Sequence, residues 1–432
     1  MSSTDATARP VAADQTDPGR RRAGAGSTGA PGQSGGRTEF IALMAMLMAS
    51  IAFSLDALLP ALPQIARDLT PADPNRAQLV VASFVMGMGA GTLVVGPVAD
   101  AFGRKAAIFG AAVIYILGAF LAWRAQTLDL LLAARFLQGL GAAGPRVTVM
   151  AIIRDRYQGR DMAQMVSFVL VVFMLVPAVA PLIGAGLIAL GGWRSLFPAF
   201  IAFTLFTTLW LGLRQPETLA PAHRRPLRFG PILAAAREVL GHPVVAVAIL
   251  VQVCAFGVLF ASISTIQMVF DQSFGRAASF PVWFVLMAAV SAAAGILNAR
   301  LVIRVGMRAL VVRSLAVQAA LTLVYLAATA SGLLQGDAAF AAYVVWAATI
   351  FGCGGLVFGN INALALEPMG HIAGTAASLV TAISTIGAAL IAGGIGMTFD
   401  GTPVPVAAGV LACTLAAIAL MGRLTRAARA AA

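Results

Sequence analysis

Apolar residues fall along the chain in blocks of roughly 20 to 25, the length that crosses a bilayer core as a helix, with short polar or basic stretches between them. Twelve such blocks are legible, at 40–63, 78–99, 105–124, 128–150, 163–190, 194–213, 243–268, 279–302, 308–330, 338–364, 372–397 and 403–422. Within lipid every backbone N–H and C=O needs an internal partner, so these blocks predict helices and not open strands. The longest interruption runs from Arg214 to His242, opens with RQPETLAPAHRRPLRFG, and divides the blocks six and six. The pattern predicts an all-α integral membrane protein of twelve transmembrane helices in two pseudo-symmetric six-helix bundles. A disordered tail is expected over 1–38, the N-terminal bundle over 39–213, a central loop over 214–242, the C-terminal bundle over 243–423 and a second tail over 424–432.

A weak internal echo supports duplication. GPVADAFGRK (Gly96 to Lys105) follows the second block and ARLVIRVGMR (Ala299 to Arg308) follows the eighth, with Ile303 in place of the acid at Asp100. Repeats of this kind place a substrate site between the halves near mid-membrane. Gly87, Gly89 and Gly91 in helix 2, and Gly387, Gly393, Gly394 and Gly396 in helix 11, predict close helix packing.

Composition agrees with a membrane protein: of 432 residues 60% are hydrophobic and 11% charged, too few charges for a soluble domain of this size. The formal charge of +12 suggests a nucleic-acid partner until the bases are placed. With both termini inside, 22 of the 29 Lys and Arg fall on the cytoplasmic side, which is the positive-inside bias. No nucleic-acid partner is expected, and the basic excess is a topology signal with an attraction for membrane lipid. Residues 1–38 are too poor in apolar side chains to fold, and they do not read as a signal peptide. Cys254, Cys353 and Cys413 all lie in predicted spans and share no short motif, so neither a disulfide framework nor a metal site is expected. No catalytic cluster and no Walker loop appears, so the chain is expected to be no enzyme, to need no cofactor and to have no ATP drive.

Asp56 is the one acid placed well inside a span. A carboxylate there is costly and marks a functional position by default. It lies about 24 Å along helix 1, and Arg135 about 10 Å from the opposite end of helix 4, so both belong to the outer half of the membrane. Burial opposes charge on this carboxylate and a nearby arginine favours it, a balance suited to taking and releasing a proton. A carboxylate that only neutralises Arg135 or fixes a helix contact is the plainer alternative. Arg135 and Arg146, eleven residues apart, point within about 20° of each other, with Gln138 and Ala142 near the same stripe. Two arginines facing lipid would be very costly, so this stripe is expected to face the interior, though Arg146 is close enough to the interface to snorkel. Pro177 and Pro181 favour a kink in helix 5, and Gly184 and Gly186 permit a close neighbour. Ala49, Phe53, Gln252, Phe256 and Asn360 are candidate cavity-wall residues, Ala49 because it shares the face of Asp56 and the others from position and side-chain type.

Six stretches carry a family resemblance. GPVADAFGRK resembles the loop signature between helices 2 and 3 of the major facilitator superfamily, through Gly96, Asp100, Gly103, Arg104 and Lys105; the resemblance implies that the acid and the bases latch the cytoplasmic side. RFLQGLGAAGPR resembles the RxxQG signature of proton-driven members through Arg135, Gln138 and Gly139. FMLVPAVAPLIGAGL resembles the antiporter signature of drug exporters in its PxxAPxxG form through Pro177, Pro181 and Gly184, with Ala185 where the second glycine usually stands. SLDALLPALP resembles the D-x-Y-L-P-x-L-P opening of the bicyclomycin-resistance (Bcr/CflA) exporters, with Leu58 in place of the usual Tyr. IIRDRY and NALALEPMGHIAGTAASL are similar to that subfamily too, and the likeness covers about Phe40 to Arg423. It implies a monomeric, proton-coupled antiporter of the bacterial inner membrane that exports amphipathic, phenicol-like or bicyclomycin-like molecules, with Asp56 and Arg135 in proton coupling. A transporter of one native metabolite and a non-transporting membrane sensor remain alternatives.

Overall fold

The structure, a computed structural model, describes residues 33–430 apart from 225 and 228. The tail predicted over 1–38 lies outside the described residues up to position 32. Among the described residues, those up to Phe40 form one unit and those from Ile41 onward a second.

The described residues hold fourteen α-helices: α1 (Gln33–Asp56), α2 (Leu62–Leu69), α3 (Leu79–Phe102), α4 (Arg104–Arg124), α5 (Leu128–Arg156), α6 (Gly159–Gly191), α7 (Leu196–Arg214), α8 (Phe229–Gly241), α9 (Pro243–Met268), α10 (Phe280–Val305), α11 (Met307–Ala330), α12 (Gly336–Leu366), α13 (Ala373–Met397) and α14 (Val404–Ala430). All but α2 and α8 have the length of a membrane span. Ten separate stretches meet the length and apolarity of a crossing helix; one of them, Gly336–Met397, holds both α12 and α13, and α6 contributes the shorter apolar stretch Leu175–Gly191.

Two boundaries differ from expectation for identifiable reasons. The first block does not run as one helix to residue 63. Pro60 and Pro63 cannot donate to a preceding turn, and α1 stops at Asp56, followed by the short 3₁₀ turn Leu59–Ala61 and then α2. The central loop is not all loop, because FGPILAAAREVLG forms α8. Its Ala235 and Val239 are buried in one apolar cluster with Val244, Val245, Leu364 and Val380.

The duplication is visible in the packing. In the first half α5 packs on α3 and α4, and α4 on α7; in the second half α12 packs on α10 and α11, and α11 on α14. The halves meet through α3 against α13 and through α6 against α10, two contacts that exchange under the same correspondence. Gly103 (φ 106°) and Gly306 (φ 81°) turn the chain at equivalent corners in a backbone region that favours glycine. Arg76, just before α3, pairs with Asp129, the second residue of α5. Arg276, just before α10, pairs with Asp337, the second residue of α12.

Arg104, Arg154 and Arg156 lie at one end of the bundle, the basic end. At the far end one apolar cluster runs through both halves, joining Leu58, Leu62 and Phe197 with Phe270, Phe280 and Phe340. Asn75 Nδ2 donates across the halves there to the carbonyls of Phe399 (2.5 Å) and Met397 (3.4 Å).

Glycines make these approaches close. A Cβ at Gly87 would lie 1.9 Å from the Phe136 carbonyl, one at Gly91 2.4 Å from that of Leu140, and one at Gly89 2.7 Å from Ile386 of α13. Gly387 and Gly396 similarly abut Val253 and Gln78, whereas Gly394, expected to pack closely, faces open space.

Candidate functional site

Asp56 is the last residue of α1 and is buried. Among the described residues no ion pair joins it to a base, so its carboxylate does not neutralise Arg135 in this conformation. Arg135 is fully buried and meets α1 one turn-fraction earlier: its Nη2 donates to the Ser54 carbonyl at 3.1 Å and its Nη1 to Gln138 Oε1 at 2.7 Å. The Phe84 ring lies 4.3 Å below the guanidinium carbon, a cation–π contact that suits a cation removed from water.

Tyr115 of α4 completes this layer. Its hydroxyl is hydrogen-bonded to Ser54 Oγ and lies beside Gln138 and Thr204. Arg135 Nε, Gln138 Nε2 and Thr204 Oγ1 are buried without a partner among the described residues. Tyr115 and Thr204 also line a small, mainly apolar cavity to which Ser50, Thr207 and Thr208 add hydroxyls. Sequence reasoning missed Ser54, Tyr115 and Thr204. Tyr115 carried a signal: it is one of only four tyrosines and sits in mid-span.

The glycines of the two helix motifs explain how these elements come together. A Cβ at Gly139 would lie 2.0 Å from the Phe84 carbonyl, and one at Gly184 2.1 Å from the Ala57 carbonyl. Gly184 therefore lets α6 press directly on the peptide that follows Asp56. Gly186, expected to serve the same purpose, has open space around it. α6 continues as a helix through Pro177 and Pro181.

At the basic end Arg104 Nη1 donates to Asp100 (2.6 Å) and its Nε to Asp155 (3.0 Å), tying α3, α4 and α5. Lys105 Nζ donates to the carbonyls of Gly212, in the last turn of α7, and of Gln215 just beyond it. Gly96 stands apart from this network and faces Ser378 of α13. Glu217, missed by the sequence reading, organises the corner. Its carboxylate accepts from the backbone N–H groups of Arg104 (2.9 Å), Lys105 (3.0 Å), Thr218 and Leu219. It thereby caps α4, whose own N-cap residue, Gly103, has no side chain to do so. Partial burial opposes the charge on Glu217, but these backbone donors outweigh it and hold the carboxyl below its usual pKa.

The cavity-wall candidates divide. Ala49 is buried on α1 and Gln252 on α9, with Gln252 Oε1 unpartnered among the described residues. Asn360 donates to Asn298 Oδ1 at 2.6 Å. Phe53 turns its ring onto Phe200 and Phe203 of α7, inside its own half, and Phe256 packs on Phe358. The three thiols are free and line one cavity in the second half, with Gln318 and Thr414. Among the described residues no group of His, Cys, Asp and Glu is placed to hold a metal ion.

Two six-helix halves joined through α3–α13 and α6–α10, with a buried carboxylate and arginine in one half, define a membrane transporter of alternating-access architecture. The chain belongs to the Major Facilitator Superfamily, whose family model matches residues 42–392. It is 31% identical over 351 residues to the bicyclomycin resistance protein homolog of Haemophilus influenzae, covering 80% of this chain and 85% of that protein. It is 35% identical over 173 residues to the multidrug resistance protein MdtL of Escherichia coli, a match spanning 39% of this chain and 43% of that one. In fold it resembles a D-xylose–proton symporter (TM-score 0.70, 14% identity) and the xylose transporter XylE of E. coli (TM-score 0.68, 12% identity); each match covers 89% of this chain and 97% of the other.

Proposed function

We propose that this chain is a proton-coupled antiporter that exports amphipathic small molecules, phenicol-like or bicyclomycin-like drugs among them, across the bacterial cytoplasmic membrane. The basic end faces the cytoplasm in this reading, both termini are inside, and the chain acts as a monomer. The names of the relatives support efflux as the direction. The observation that carries the coupling is Asp56: a buried carboxylate at the broken end of a membrane helix, free of any ion pair among the described residues, with a fixed arginine bonded to the same helix end.

An unpaired ionised carboxylate is costly in that setting, and a protonated one is not. Proton binding at Asp56 therefore favours the closed, dry arrangement, and opening toward water favours release. Arg135 holds the end of α1 through Ser54 while the carboxylate changes charge. The far-end contacts of Asn75 and the basic-end approach of Gly96 to Ser378 open in alternation as the halves rock. Inward proton movement supplies about 2.3 kcal/mol per 100 mV, plus the pH term.

Everted vesicles from cells lacking their own drug pumps test this. With an acid interior reported by a pH-sensitive dye, adding a phenicol should release protons, and Asp56→Asn should abolish that release. Release that survives in the variant moves the proton site away from Asp56; no response to a broad drug panel from folded protein rejects drug antiport.

A further inference from the structure

Arg146 lies on α5, eleven residues from Arg135 and about 20° from it around the helix. That face is turned to α1: Arg135 reaches Ser54 from it, and Gly141, Ala142 and Pro145 share a cavity wall with Leu47 and Ser50 of α1. The exposed positions Leu130 and Ala133 lie about 140° to 160° away around the helix. Arg146 thus points into the protein, at a depth about 16 Å nearer the basic end than Arg135.

Its surroundings differ from those of Arg135. Arg135 is fully enclosed and holds two hydrogen bonds and a ring, whereas Arg146 is only partly buried. Among the described residues it has no hydrogen bond, ion pair or ring contact. The carboxylates in reach of other bases are committed to them: Asp100 and Asp155 to Arg104, Asp129 to Arg76, Asp337 to Arg276. Asp56 stands at the opposite end of α1. A guanidinium is a planar fork of donors that matches a carboxylate or phosphate in two parallel hydrogen bonds. Held inside a membrane protein with no counter-ion of its own, it has its binding capacity unspent.

We propose that Arg146 receives an anionic group of the transported molecule, so that preferred substrates are amphipathic acids or zwitterions and not simple cations. This rests on the export reading above and narrows its substrate class.

A matched pair of probes tests the proposal: neutral chloramphenicol and its anionic hemisuccinate ester, bound at equilibrium to the purified full-length chain in lipid nanodiscs. The ester should bind more tightly than its parent. In Arg146→Gln the preference for the ester should fall about 30-fold, the low end of the range for removing one member of a buried charge pair and suited to a partly buried one, and Arg146→Lys should restore part of it. A wild-type protein that does not prefer the ester overturns the proposal whether or not either variant folds, as does an Arg146→Gln protein that weakens both probes equally. Selective binding without drug-driven proton release in vesicles keeps the anion site and removes the export reading. Proton release with neutral drugs and no anion preference does the reverse.

Discussion

Arg135 is bonded to the carbonyl of Ser54, and not to the carboxylate of Asp56 two residues further on. Its positive charge anchors α1 through the backbone, leaving Asp56, the one buried acid among the described residues, outside any ion pair there. Arg135→Ala should therefore act first on stability. It strands the Ser54 carbonyl and Gln138 Oε1, at about 1–3 kcal/mol for each unsatisfied group. Arg135→Lys, which keeps the charge but loses the fork, should fall between. Thermal unfolding of the purified protein reads the order directly, and an Ala variant as stable as the parent rejects it.

Gly184 and Gly186 separate packing from mere presence of glycine in a motif. Alanine at 184 places a methyl against the Ala57 carbonyl, a backbone atom that cannot swing away. Overpacking of this kind costs about 1–3 kcal/mol. Gly184→Ala should abolish drug resistance in cells, with its melting temperature lowered, while Gly186→Ala should behave as the parent. Equal behaviour of the two variants would contradict the approach of α6 to Ala57 described above.

Glu217 ties stability to pH. Folding lowers the pKa of its carboxyl below the ordinary value of 4.5, so its contribution is complete above that value. It is lost as pH falls through the lower, folded value. Because the group is partly exposed, screening holds the effect to about 1 kcal/mol. Glu217→Gln should lower the melting temperature at pH 7 and narrow the difference from the parent as the pH is taken below 4.5. A gap that widens with acidification would show the cap to be unimportant.

The far-end closure rests on few polar contacts between the halves. Asn75→Ala removes the bonds to Phe399 and Met397, a loss of about 0.5–1.5 kcal/mol from the closed state. In a background with the three native cysteines changed to serine, a Gln78→Cys probe should react several-fold faster with an impermeant maleimide when Asn75 is replaced. An unchanged rate would mean that the apolar cluster alone holds that end.

Hydropathy was enough to find the crossing helices, because length and apolarity are properties of each segment alone. It placed the end of α1 seven residues late, since leucines on both sides of Pro60 hide a break that only the proline's missing donor reveals. It missed α8 because charged and proline-bearing neighbours dilute a short apolar face. The motif residues were legible, but their partners were not. Asp155 and Glu217 meet Arg104 only through the turn of the chain around α4 and the return of the loop after α7. Phe53 was assigned by position to a cavity wall, and a helical position does not say which of two neighbouring helices a ring will choose.

The twin pairs Arg76–Asp129 and Arg276–Asp337 show how the two repeats have aged. The clamps at their rims are the same, while the interiors have parted company. The twelfth residue of α4 is Tyr115 and that of α11 is Gln318; the eighth and eleventh of α5 are Arg135 and Gln138, and those of α12 are Tyr343 and Trp346. In the second repeat Trp346 stacks on Tyr325 and donates to Thr322, so an aromatic wedge fills the space that a charged fork holds in the first. The rims of the two repeats are alike, and their centres differ in kind: a buried cation with its amide in the first, packed rings in the second.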